Sequence, residues 1–133
     1  MEANEIILDK DSFLLLKSGK LDISEETISY LPIVEVAELY YKAEKKDISV
    51  FKIKDFLSGI EPMQIGEKTV VIYSGIRNFF SRKEKSGNPL LRDNLYYLLS
   101  LAIEYGFPLY VSKENYSILK HYYHDDLILL KAD

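Results

Sequence analysis

The chain has 133 residues, with 17 basic against 21 acidic side chains, a formal charge of -4 and no cysteine. That length suits one domain spanning residues 1–133, able to bury roughly two-thirds of the surface its unfolded form exposes. The lack of cysteine excludes disulfides and thiolate metal sites together, and two histidines argue against a zinc centre, so any metal here would be oxygen-liganded. The mildly acidic balance argues against general coating of nucleic acid while leaving a local basic patch open.

No apolar run approaches the ~20 residues that span a bilayer, and residues 1–5 lack the basic-then-apolar layout of a signal peptide. A soluble, cytoplasmic protein with no membrane partner is the expectation. The eleven tyrosines, with no tryptophan, lie mostly in apolar periodic segments and read as core or core-edge residues.

Ile6-Ile7-Leu8-Asp9 is a short apolar run ending in a carboxylate, the pattern of a buried parallel strand. Ligands in α/β folds bind at the carboxyl ends of such strands, which makes Asp9 the first candidate for chemistry. A helix over Ser12 to Lys17 follows, stopped at Ser18-Gly19, and Asp11 reads as its cap or as a spare ligand. A second strand is expected at Ile28 to Leu31, then a helix from Ile33 to Lys46 opened by Pro32. Val50 to Leu57 reads as a shorter helix, Glu61 to Ile65 as extended and Gly66 as a break. Thr69 to Lys85 is again helical, turning basic before a surface turn at Gly87-Asn88-Pro89.

Leu90 to Tyr105 is apolar almost all round, which indicates a helix buried between neighbours, with Gly106 as its stop. A strand at Leu109 to Val111, a short helix at Tyr116 to His121 and a strand at Leu127 to Leu130 complete the order. Strands alternating with helices define an α/β chain with a mainly parallel sheet and right-handed crossovers.

Projecting the helix from Ile33 at 100° per residue puts Ile33, Val36, Ala37, Tyr40 and Ala43 on one face and turns Glu35 away from it. Glu38 falls at the edge, where it either reaches over the sheet toward Asp9 or pairs with Lys42 four residues on.

The run Ile6 to Asp9 before an apolar helix, then Ile28-Ser29-Tyr30 and Val36-Ala37-Glu38-Leu39-Tyr40-Tyr41, resembles the front half of a PIN domain, most nearly of the VapC type. Leu101 to Val111 resembles that family's buried helix, glycine turn and fourth strand. The resemblance implies a PIN-like three-layer fold with a parallel central sheet flanked by helices. It also implies a Mg2+ or Mn2+ ion held by acids, with Asp9 and Glu38 at two of the family's positions.

The other two acids depart from the pattern: the third position falls on Leu95 and the fourth on Lys113, with Val111 at the preceding threonine position. Asp93 is the substitute third acid, although two residues on a helix turn a side chain by about 200°. Its helical neighbours Tyr97, Ser100 and Glu104 make the only polar stripe on that helix, an alternative home for it. Glu114 lies one residue beyond the fourth position. Lys113 is either a solvated loop residue or an ammonium that pairs with Asp9 or Glu38 in place of the metal.

Two functions follow from the resemblance. The first is a toxin-type ribonuclease, metal-dependent and cutting single-stranded RNA, with Asp9, Glu38 and Asp93 as catalytic and metal-binding residues. It would form a homodimer and bind an antitoxin protein. Arg77, Arg82, Lys83 and Lys85, with Phe79 and Phe80 among them, would guide the RNA or simply complement a helix dipole. The second is a PIN-like domain that has lost catalysis and serves as a protein-binding or dimerisation module. A receiver or nucleotide-binding domain fares worse, because no Gly-rich phosphate loop follows any strand.

Overall fold

Ile6, Ile7 and Leu8 alternate between the two faces of a sheet and are all buried, which is what a strand covered by helices on both sides requires. The computed structural model describes residues 5–84, 91–122 and 128–132. Within them the order is β1 (Glu5–Leu8), α1 (Lys10–Lys17), β2 (Ile28–Pro32), α2 (Ile33–Lys45), α3 (Val50–Phe56), β3 (Glu61–Met63), α4 (Glu67–Ser81), α5 (Asp93–Tyr105), β4 (Leu109–Val111), α6 (Lys113–Tyr122) and β5 (Leu129–Lys131).

The five strands form one sheet in the order β3-β2-β1-β4-β5, and every pairing is parallel. β1 is central, aligning Ile7 with Tyr30 of β2 on one side and with Leu109 of β4 on the other. The chain leaves β1 toward one edge and returns through β4 on the opposite side. The crevice between the carboxyl ends of β1 and β4 is therefore the topological switch point, where parallel sheets open a site.

Ile7, Leu109 and Val111 join the α5 residues Leu95, Leu98, Leu99 and Ala102, with Ile76 and Phe80 from α4 and Leu119 from α6, in one core. Ile6, Leu8 and Leu31 join Phe13 of α1 and Leu39 of α2 in the other. The three-layer α/β arrangement expected from the sequence is the one observed.

Several boundaries move for local reasons. α1 begins at Lys10 because Asp9, rather than Asp11, caps it: the Ser12 N–H donates to the Asp9 carboxyl at 2.7 Å. α4 begins at Glu67, where the Thr69 hydroxyl accepts from the Gly66 N–H at 3.1 Å. α6 begins at Lys113 because Ser112 accepts the first helical N–H, from Tyr116, at 2.8 Å. The expected basic turn at Gly87-Asn88-Pro89, Lys85 and the residues Leu90 and Leu127 lie outside the described residues. No helix among those described is long and apolar enough to cross a membrane.

Gly106 ends α5 in the left-handed conformation at φ 71°, and a Cβ there would meet no atom within 4 Å. The cost of a side chain is thus purely conformational. Gly106→Ala is expected to destabilise the fold by about 1 kcal/mol in urea denaturation, with Gly106→Asn losing less.

Candidate acidic centre

Asp9 follows β1 at the switch point and is fully buried. One carboxyl oxygen accepts from the Ser12 N–H, and the other accepts from the Ser112 N–H at 2.9 Å, just past β4. The side chain therefore ties the exits of two adjacent strands to the start of α1. Burial raises its pKa above the ordinary aspartate value, opposed by hydrogen bonding from Ser12 and from the Ser112 N–H.

Glu35 is the residue that helical projection misplaced. Instead of facing away it is fully buried, on a stripe with Leu39 and Ala43 at intervals of four. Ala37, projected inward, is exposed. The reason is tertiary: α2 is pressed against the end of the sheet and the start of α5, and Glu35 is admitted because both its oxygens find donors. The Lys10 N–H donates to one at 2.9 Å, and Arg92 Nη1 donates to the other at 2.6 Å.

Glu38 lies one turn further on α2 and is partly buried. Its Oε1 accepts from Lys10 Nζ at 3.1 Å, with Lys42 Nζ at 3.8 Å, and its Oε2 accepts from Asn94 Nδ2 at 3.1 Å. The Lys10 hydrogen bond, acting against desolvation, holds the Glu38 carboxyl below its ordinary value. The pairing with Lys42 read from the helix is present, and Glu38 also meets Lys10, the residue after Asp9.

Asp93 goes elsewhere. It is exposed, accepts from the Tyr73 hydroxyl at 2.6 Å and forms an ion pair with Arg77, both on α4. Of its stripe, Tyr97 stacks on Tyr73 with ring centroids 4.2 Å apart and Glu104 accepts from the Thr69 hydroxyl at 2.5 Å, while buried Ser100 donates to the Tyr96 carbonyl within α5 at 2.7 Å. Leu95, at the third-acid position, is fully buried in the core. Lys113 and Glu114 open α6 and line, with Asp11, Ser112 and Leu14, a cleft of about 540 Å³ between α1 and α6. Of the basic and aromatic group on and just after α4, Arg77 is engaged with Asp93, Phe80 is core and Lys83 lies over Phe79.

Besides Lys42, the cations at this centre are Lys10 and Arg92, neither of which stood out by spacing. Burial works against the Arg92 charge, but the Glu35 hydrogen bond and the field of Glu35, Asp9 and Glu38 override it and keep its pKa raised. The available signals were a lysine directly after Asp9, a glutamate inside the apolar Ile33-Val34-Glu35-Val36 and an arginine just before an apolar helix.

A hard divalent ion needs several carboxylate or carbonyl oxygens turned to one point. Here the carboxyl oxygens of Asp9, Glu35 and Glu38 are engaged by N–H and ammonium donors. Among the described residues, no group of three or more acids or histidines is arranged to hold a metal ion. The residues present do not fit the Mg2+ or Mn2+ ion that the resemblance implied.

No protein-family model matches the chain, and no curated protein matches it. Solved structures do. A chain of VapBC2 from Rickettsia felis, bound to a DNA fragment from its promoter, gives a TM-score of 0.72 at 19% identity, covering 96% of this chain and 98% of its own. DNA-bound VapBC from Salmonella typhimurium gives 0.70 at 16% identity, covering 99% and 100%. VapBC-1 from nontypeable Haemophilus influenzae gives 0.69 at 14%, covering 96% and 98%. The likeness is one of fold: the chain has the PIN-like, VapC-like fold found in these toxin-antitoxin structures.

Asp9→Ala is expected to cost about 2 kcal/mol in chemical denaturation, because two backbone N–H groups lose their acceptor. The Glu38 shift has a pH signature. With its folded pKa depressed, Glu38 contributes stability above the unfolded carboxyl's range and loses it as pH falls through the folded value; Asp9, shifted upward, does the reverse. Urea midpoints measured from about pH 3 to 7 should therefore show a shallower acid-side loss for Glu38→Gln than for wild type. An unchanged acid limb would reject the Lys10–Glu38 pairing.

Proposed function

We propose that this chain is a PIN-like protein of the toxin-antitoxin kind that acts by binding a protein partner of the antitoxin class, not by metal-dependent hydrolysis of RNA. The observation that carries the reading is the self-neutralised centre, in which Lys10 meets both glutamates and Arg92 meets Glu35. A four-acid site reduced in this way has lost ligands and gained cations, and affinity for a hard cation falls with each change.

Support for a protein partner comes from the C-terminal end of α2 and from α3. Phe51 is 82% exposed, with Tyr41, Ile48, Val50 and Phe56 also exposed, and the groove between α2 and α3 is lined by Ala43, Ile48, Val50 and Ile53 with Glu44 and Asp47 at its edge. Apolar surface gathered in this way is what an amphipathic partner segment covers. The similar structures include a toxin-antitoxin complex from Klebsiella pneumoniae, at a TM-score of 0.58 and 13% identity.

The metal-dependent ribonuclease is the second reading, favoured by the place of Asp9 and Glu38 at the carboxyl end of the parallel sheet. Calorimetric titration of manganese into wild type, Asp9→Asn and Glu38→Gln separates the two, together with incubation of the wild type with single-stranded RNA and manganese. The expected result is no saturable binding at millimolar metal and no cleavage. Saturable binding lost in both variants would overturn the proposal in favour of the nuclease.

A further inference from the structure

We infer that Lys10 and Arg92 are a built-in replacement for a divalent cation, and that the Lys10 ammonium is what closes the Asp9, Glu35 and Glu38 centre to metal. The inference rests on the reading above and deepens it, from the absence of a working metal site to the residues responsible.

Three carboxyls are brought together by two short pieces of chain. Asp9 follows β1, Glu35 and Glu38 stand one turn apart on α2, and the charges of all three act on the Arg92 guanidinium. Carboxylates gathered around one guanidinium are held there by the positive charge and hydrogen-bond donors among them. Lys10 supplies one charge and one neutral donor, because its Nζ holds Glu38 while its backbone N–H holds Glu35. One residue thereby bridges both glutamates from a position covalently next to Asp9.

Arg92 brings the second charge from the other side, at the start of α5. Nη1 is bonded to Glu35, whereas Nη2 is buried with no hydrogen-bond partner in the centre. The Glu35 hydrogen bond chiefly holds the guanidinium, with the charges of Glu35, Asp9 and Glu38 adding to it. The exposures agree with an internal role: the side chains of Lys10, Arg92 and Glu35 are 10%, 33% and 0% exposed, where lysine and arginine are ordinarily at the surface. Lys10 and Arg92, with Lys42 at the rim beside Glu38, supply the positive charge that a divalent ion would otherwise bring.

Removing the Lys10 charge should therefore make the protein responsive to metal. Thermal unfolding of the full chain, with and without manganese, is measured for wild type, Lys10→Ala and the double variant Lys10→Ala/Glu38→Gln, alongside calorimetry on each. The expected pattern is a lowered midpoint for Lys10→Ala that manganese raises by several degrees, with affinity at least about tenfold above wild type. Wild type and the double variant should show neither response.

Should Lys10→Ala be too unstable to purify, folding that returns only with manganese is itself the expected result, and Arg92→Gln carries the same comparison from the α5 side. If neither variant responds to manganese, the replacement idea is wrong while the metal-independent reading stands. If wild type itself binds manganese saturably and Asp9→Asn abolishes it, both fall together.

Discussion

The Asp9 carboxyl is buried at the end of the central strand, and everything around the centre is arranged to make that burial tolerable. A carboxyl removed from water must have its oxygens met by donors. The donors are backbone N–H groups of Ser12 and Ser112, so the side chain sets where α1 begins and how β4 leaves the sheet. With α1 starting immediately after it, Lys10 is the first helical residue, and its N–H is left free of the helix ladder to meet Glu35. The site's own cation is thus delivered by the geometry of its first acid.

The start of α5 divides four neighbouring residues among four tasks. Arg92 reaches Glu35, Asp93 turns to α4, Asn94 reaches Glu38 and Leu95 enters the core. A rotation of about 100° per residue makes such a division natural, and it explains why one acid cannot substitute for another two positions away. At the position where the resemblance calls for an acid, the chain has placed a fully buried leucine. The neighbouring positions add an amide and a guanidinium, which hold glutamates in place without competing for a cation.

Asp93 illustrates how a polar stripe on a buried helix is used. Asp93, Tyr97 and Glu104 all meet α4, through Arg77, Tyr73 and Thr69, so the stripe becomes a seam between two helices. Ion pairing at the exposed end contributes little by itself, but the stacked rings and the Thr69–Glu104 hydrogen bond bury polar groups with partners already supplied. The seam fixes α5 against α4 and leaves Arg92 and Asn94 to face α2.

The order of strands and helices, the parallel sheet and the prominence of Asp9 were all legible in the sequence, because each depends on residues close together in the chain. Apolar runs, a period of 3.6 and a glycine at the end of α5 act locally, and tertiary structure had only to agree with them. The direction of Glu35 was not legible: a helix with apolar residues on several sides does not reveal which one faces the core until its neighbours are in place. The pairing of Lys10 with Glu38 and of Arg92 with Glu35 joins residues 28 and 57 positions apart, and no local period carries that information. The sequence by itself determined the layers and put a carboxylate at the switch point. Only tertiary structure decided that the acids gathered there are answered by the chain's own cations, because charge compensation in a buried site depends on which side chains meet in space.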